Sequence, residues 1–377
     1  MNEFILEVSW GCPNDKYPLN GLFQFDQAKA LREAGLDVVF AALDLRSVRR
    51  WRKWGINHTE RDDIQVYEYN FPCGPMPPNI KYQVQDHAFR KIIRTIEHKY
   101  GKPVVIHVHT CQQAISVTHY CTNNNIPYII TEHITPLDEG DTIEVRKKQA
   151  LLGAKKVIAV SNALGKDIKR EYGVDSVTIP NIVDLSEFAY IPKEEETKKN
   201  VRILSAASVN HGKGFDILLQ AYALVLQKYP YCHLTIMGDG PEMSNIQALA
   251  SKLGLTGMQQ ESKITFTGSY IRRDFAYALS QSDYFVLASR SETFGIVYAE
   301  ALASGIPVIA TECGGPEDFI DASNGLLVET DDINALADAM IYMSEHFNDY
   351  DRAGISLNAK NRFSSQSIAE QIAKWFN

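Results

Sequence analysis

The stretch DYFVLASRSETFGIVYAEALASGIPVIAT, residues 283–311, reads as a strand, a loop, a helix and a second strand. DYFVLAS is a short β-branched and aromatic run ending at Ser289. A helix is expected to start near Thr293–Gly295, and IPVIAT (306–311) reads as the next strand. Strand, helix, strand in that order is the repeating unit of a parallel α/β sheet. Two glutamates, Glu292 and Glu300, stand in this otherwise small and apolar setting. They could form a general acid/base pair, a clamp for hydroxyl groups, or two solvated side chains on a core helix. At ~1.5 Å of rise per residue they lie about two turns apart, too far to share a proton. They suit two ends of one extended ligand better. The free N–H groups near Phe294–Ile296 would fall between them, well placed for a diphosphate. A sugar at one end, a ribose at the other and phosphates in the middle is the geometry of a nucleotide-sugar.

The same alternation continues outward in both directions. Upstream in the second half lie VRILSAAS (201–208), HLTIMG (233–238) and KITFTG (263–268). The first half offers EFILEVS (3–9), LDVVFAA (36–42), PVVIHVH (103–109), IPYIITE (126–132), KKVIAVS (155–161) and VTIP (177–180), with helical patterns between. IPKEEETKKN (191–200) is a charged run without apolar period, suited to a linker edge. A chain of 377 residues makes two domains the first expectation, at roughly 150 residues each. We place them at 1–184 and 185–363, with a C-terminal helix of about 364–377 packing back on the first.

The bulk numbers restrict the partners. A net charge of −8 argues against a general nucleic-acid binder, which needs a basic face. Six scattered cysteines without a C-x-x-C pair fit reduced thiols. The start MNEFILEVSW has no basic segment followed by a long apolar one, and no apolar run approaches ~20 residues. A cytoplasmic location is expected, with peripheral contact to the inner face of a membrane left open.

Two turns in the second half add chemistry. Lys213 lies between Gly212 and Gly214 ahead of an amphipathic helix, and a helix start with a lysine is a natural phosphate site. A plain surface lysine in a turn is the commoner meaning of such a segment alone. MGDGPE (237–242) ends a strand at Gly238 and opens a helix at Pro241. It lacks the G-x-G-x-x-G spacing of a dinucleotide site.

Taken in order, VNHGKGFD, MGDGPE, FTG, SRSETFGIVYAEALASGIPVIAT, GGPEDFI and NGLLV resemble the donor half of the retaining glycosyltransferases of family 4. PNIVD and VSNALGKDI fit the first half more loosely. The resemblance implies a GT-B fold, two doubly wound Rossmann-like domains facing an interdomain cleft. It implies a metal-independent, hexosyltransferase-type enzyme that moves a sugar from a UDP- or GDP-sugar to a hydroxyl of a glycan, lipid-linked or small-molecule acceptor, as in cell-surface polysaccharide synthesis. Glu292 would contact hydroxyls of the transferred sugar, Glu300 the ribose, and Lys213 the leaving diphosphate. Phe294, Gly295 and Ile296 would approach the donor through their backbone, with Gly238 and Gly268 beside the nucleotide. Ser208 stands where the family usually carries an arginine, a departure that bears on leaving-group stabilisation. In the first half Gly21 would approach the donor phosphate, and His133 the transferred sugar. His109 is an acceptor-side candidate, while His107 and His109 alone do not make a metal site. No metal or other cofactor is implied.

LRSVRRWRKWG (45–55) gathers Arg46, Arg49, Arg50, Arg52 and Lys53 around Trp51 and Trp54. It suits an anionic membrane surface or a phosphate-bearing acceptor; a solvated helix or loop is the blander reading. Two functions compete with the transferase: a GT-B relative such as an epimerase or phosphorylase, and a catalytically weak nucleotide-sugar-binding subunit.

Overall fold

A computed structural model describes residues 3–14, 16–17, 20–46, 53–74, 76–136, 138–192, 200–257 and 262–376. The chain divides into two compact units, Met1–Ile182 with Ser365–Asn377, and Val183–Ser364. Each is built on a twisted sheet whose central strands read as continuous apolar runs, as strands covered on both faces must.

Among the described residues of the first unit, eight strands form one sheet. They are β1 (Ile5–Ser9), β2 (Val38–Arg46), β3 (Gly55–Arg61), β4 (Ile64–Pro72), β5 (Val105–His109), β6 (Tyr128–Glu132), β7 (Lys156–Ala159) and β8 (Val177–Thr178). Their spatial order is β3-β4-β2-β1-β5-β6-β7-β8, parallel throughout except that β3 runs antiparallel to β4. The order reverses direction between β1 and β5, and open α/β sheets bind ligands at the carboxyl ends of strands at such a point.

The β3–β4 hairpin is an addition to the expected strands. Its turn places Asp62 and Asp63 at φ 47° and 58°, the left-handed pair that a tight hairpin needs. Without a glycine there, and with β3 a mostly polar edge strand, the usual hairpin signal is missing. Arg46 belongs to the end of β2 rather than to a helix or loop, while Lys53 and Trp54 precede β3. Arg49, Arg50, Trp51 and Arg52 lie outside the described residues.

The C-terminal helix Ser365–Ala373 completes the core of the first unit. Its Ile368, Ala369 and Ile372 join Phe25, Ala28 and Leu31 of helix Leu22–Glu33 in one buried cluster, with Trp375 and Phe376 against it. The unit boundaries fall at Ile182/Val183 and Ser364/Ser365.

In the second unit the strands are β9 (Arg202–Ala206), β10 (His233–Met237), β11 (Ile264–Gly268), β12 (Tyr284–Val286), β13 (Val308–Thr311) and β14 (Gly325–Val328). All pair in parallel, in the order β11-β10-β9-β12-β13-β14. Counted within the unit this is 3-2-1-4-5-6, the doubly wound nucleotide-binding order, with its switch point between β9 and β12. The loops after those two strands carry Lys213 and Glu292. Among the described residues no helix is long and apolar enough to cross a membrane.

Candidate active site

The loop after β9 tightens into a turn at His211–Lys213 before helix Phe215–Lys228. From it Lys213 Nζ reaches Glu292 Oε1 at 2.6 Å, and the Ser289 hydroxyl donates to the same oxygen at 2.8 Å. Glu292 is held by its backbone too. Its N–H donates to the Cys313 carbonyl at 3.0 Å and its carbonyl accepts from Gly315 N–H at 2.8 Å, a short parallel bridge beyond the ends of β12 and β13. Arg290 fastens the two loops together. Its guanidinium makes two bonds to Asp216, at 3.0 and 2.8 Å, and its amide donates to the Gly212 carbonyl at 2.8 Å.

Helix Ile296–Ala303 begins at Gly295, whose φ is 90°. A Cβ there would lie 2.7 Å from the Tyr298 ring, so both conformation and space require glycine. The Ile296 and Val297 amides find no protein acceptor among the described residues. They are the exposed positive end of the helix. Phe294 buries its ring against Phe319 and Phe363, leaving its backbone to face the loop. Gly238 N–H donates to the Gly268 carbonyl at 2.9 Å, joining the ends of β10 and β11. Ser208 is exposed in the loop after β9, and its hydroxyl has no polar partner among the described residues.

Glu300 differs from Glu292. It is 7 % exposed, and its carboxylate accepts no hydrogen bond among the described residues. The cation beside it is Arg272, whose Nε stays 3.7 Å away while its Nη1 donates to Asp184 at 2.7 Å. Burial pushes the Glu300 carboxyl up to about 7, with Arg272 pulling it down and Asp184 adding to the rise. A buried carboxylate without donors is costly, and a ligand's hydroxyls are the kind of donor it lacks.

In the first unit Gly21 caps helix Leu22–Glu33 at φ 70°, pressed so close to Gly11 that a Cβ would sit 2.1 Å from its carbonyl oxygen. At the ends of β1, β5 and β6 a fully enclosed polar string runs through the sheet. The Glu7 carboxylate spans His107 Nδ1 at 3.0 Å and His109 Nε2 at 2.8 Å. His109 Nδ1 meets His133 Nε2 at 2.9 Å, and His133 Nδ1 lies 2.7 Å from Asn181 Oδ1. Burial raises the Glu7 carboxyl, but His107 and His109 outweigh it and hold it at about 2. Burial pushes the His133 imidazole down to about 3. Both ring nitrogens of His133 thus have protein partners within hydrogen-bond distance. Glu7, His107 and His109 are the one such cluster among the described residues with ligand atoms within 4.8 Å of one another. The two Glu7 oxygens already bond one histidine each.

Comparison with known proteins agrees with this arrangement from both ends. Residues 200–346 match the family model described as glycosyl transferases group 1, and residues 23–187 match the model described as glycosyltransferase family 4. The chain belongs to the family 4 glycosyltransferases. It is a glycosyltransferase of the GT-B fold. Among its relatives is the Bacillus subtilis glycosyltransferase named for teichuronic acid biosynthesis, TuaC, 26 % identical across 89 % of this chain and 88 % of that protein. Another is the N-acetyl-alpha-D-glucosaminyl L-malate synthase of Bacillus anthracis, 26 % identical across 82 % of this chain and 81 % of its own. Among solved structures, the fold is shared with sucrose-phosphate synthase of Thermosynechococcus elongatus, at TM-score 0.76, 19 % identity and coverage of 99 % and 98 %. It is shared also with Anabaena HepE in complex with UDP, at TM-score 0.71, 19 % identity and 98 % of both chains.

Four residues that position this glycosyltransferase's donor-side groups escape a reading of the sequence for chemistry: Ser289, Arg290, Arg272 and Asp184. Ser289 and Arg290 sit inside the quoted segment, so their place was visible but not their partners. Arg272 follows the strand end FTG within YIRRDF, and that position was the available signal. Asp184 ends PNIVD, and only the fold carries it to Arg272.

Proposed function

We propose that this glycosyltransferase takes its sugar from a nucleotide-sugar, UDP- or GDP-linked, and transfers it with retention of anomeric configuration to an acceptor hydroxyl. The observation that carries the reading is Glu300: buried, without a hydrogen-bond donor, and about one turn along the same helix from its open start. A ribose diol supplies two donors to such a carboxylate. The Ile296 and Val297 amides and Lys213 then lie on the side of the diphosphate. Glu292, steadied by Ser289 and its backbone bridge, accepts from hydroxyls of the transferred sugar. The acceptor attacks on the face the nucleotide leaves, and the departing phosphate takes its proton. Glu292 and Glu300 therefore act as binding groups rather than as the acid/base pair of a glycosidase. Helix-start amides and Lys213 provide the positive charge, so no metal enters the scheme. His133 is given no hydrogen-bonding role toward the sugar.

The HepE structure holds UDP, and TuaC is named for teichuronic acid biosynthesis; both support the class of donor and acceptor. A weaker enzyme that mainly binds nucleotide-sugar is the second reading, favoured by exposed Ser208 in place of a cation. Thermal-shift measurement with UDP, GDP, ADP and their sugars tests the donor, because a ligand bound only by the folded protein raises its melting point. Silence across the panel removes the proposal. A shift without sugar release on adding acceptors favours the second reading.

A further inference from the structure

The first unit holds a cavity of about 470 Å³ at the carboxyl ends of β1, β2, β5 and β6. That volume is typical of small-ligand pockets, roughly 300–1,000 Å³. Its apolar lining includes Trp10, Leu43, Leu45, Met76 and Ile134. The lining also carries three polar groups that the protein leaves unused.

Gln85 and Gln113 are 3 % and 8 % exposed and joined by one amide bond of 2.7 Å. Whichever way the two amides are turned, that bond uses one donor and one acceptor, leaving three N–H groups and one carbonyl without a partner among the described residues. The third group is the Thr110 hydroxyl, 1 % exposed and likewise unpartnered. Thr110 has φ 90° and ψ 146°, a region costing a β-branched residue ~1–3 kcal/mol. The fold holds a strained, buried hydroxyl where a small residue would fit with less cost.

Among the described residues two cations line the same cavity, and both are already engaged. Arg46 lies 3.2 Å from Asp44, and Lys81 lies 3.1 Å from Glu139. Glu139 also accepts from Tyr82 at 2.5 Å and meets buried Lys147 at 3.2 Å. An anionic ligand entering here would compete with Asp44 and Glu139 for these cations, whereas a hydroxyl both donates and accepts and matches what is unused.

Resting on the transferase reading, we propose that this cavity binds the acceptor, and that the acceptor presents an uncharged carbohydrate: hydroxyls against Gln85, Gln113 and Thr110, a ring face against Trp10 and its apolar neighbours. This separates the enzyme from its Bacillus anthracis relative, named for the anion L-malate.

Saturation-transfer NMR on the full chain tests the assignment, with maltose, cellobiose and lactose as neutral probes and malate, glycerol phosphate and inositol phosphate as anions. The neutral probes should give signal and the anions should not compete. Thr110→Gly suits the backbone, so it keeps or raises the melting point while deleting the hydroxyl. Gln113→Glu retains size but replaces the donor with an acceptor. Each should weaken neutral-sugar binding by roughly 2- to 10-fold, the worth of one hydrogen bond. Nucleotide-induced thermal shift should not change in either variant. Anions that outcompete the sugars, neutral probes that never bind, or sugar binding indifferent to both substitutions overturns the assignment. A protein that binds the sugars but no nucleotide instead sinks the donor reading while leaving this cavity's assignment standing.

Discussion

The Glu300 carboxyl should make donor affinity depend on pH across neutrality. In the free protein, burial favours its acid form and lifts it to about 7, far above an ordinary carboxyl. Ribose hydroxyls donate to the carboxylate, so binding favours the ionised form. Below pH 7 the ligand must therefore displace a proton, and affinity rises with pH. With a midpoint near 7, the ionised fraction is about 0.1 at pH 6 and about 0.9 at pH 8. A roughly tenfold tighter dissociation constant at pH 8 follows, or ~1.4 kcal/mol. The assay is isothermal titration with UDP-glucose and GDP-mannose at pH 6, 7 and 8, because a nucleotide-sugar diphosphate carries no group titrating in this range. Repeating pH 7 in two buffers of different ionisation enthalpy should show about half a proton released per donor bound. Glu300→Gln should bind more weakly at every pH and lose the slope. Asp184→Asn removes a neighbouring negative charge and frees Arg272 for Glu300, moving the midpoint below 7 and strengthening binding at pH 6. A flat wild-type profile, or the same slope in Glu300→Gln, refutes the reasoning.

Three further outcomes are expected. Lys213→Met removes the cation beside Glu292, and a charge-assisted bond of ~1.5–3 kcal/mol corresponds to a roughly 10- to 150-fold loss of turnover; steady-state kinetics at saturating donor would show it, and an unchanged kcat would remove Lys213 from leaving-group stabilisation. Gly295→Ala forces a Cβ against Tyr298 at a positive φ, costing ~1–3 kcal/mol in urea unfolding of the second unit; wild-type stability would contradict the geometry. Ile372→Ala should cost ~2–5 kcal/mol in the unfolding of the first unit while leaving nucleotide binding to the folded protein unchanged, as read by denaturation and titration in parallel.

Much of the fold was legible because parallel strands buried on both faces must be apolar along their length. β1, β2, β5, β6, β9, β12 and β13 all appear as such runs. The hairpin β3–β4 did not, because an edge strand such as GINHTER need not be apolar and its turn uses two aspartates instead of glycine. In the donor half the polar residues stand at strand and helix ends, where neighbours in sequence are neighbours in space, so the Glu292–Gly295 loop and the helix bearing Glu300 could be placed in advance. Partners that meet across the fold could not. Lys213 meets Glu292 from 79 positions away, and Arg272 meets Asp184 from 88. His133 shows the same limit from the other side. Its place at a strand end was visible, but not the His109 and Asn181 that occupy its two nitrogens.

The docking of helix Ser365–Ala373 onto the first unit has a consequence for synthesis. The second unit, Val183–Ser364, is one continuous piece of chain and holds everything it needs once Ser364 has been made. The first unit, though begun earlier, lacks Ile368, Ala369 and Ile372 until after that point. Domains usually fold in the order in which they are made. Here the amino-terminal sheet must wait on the ribosome with one flank of helix Leu22–Glu33 uncovered, and the part made later is the first that can finish. A nascent chain stalled just past Ser364 should therefore expose apolar surface from its earliest residues, a natural binding place for a chaperone.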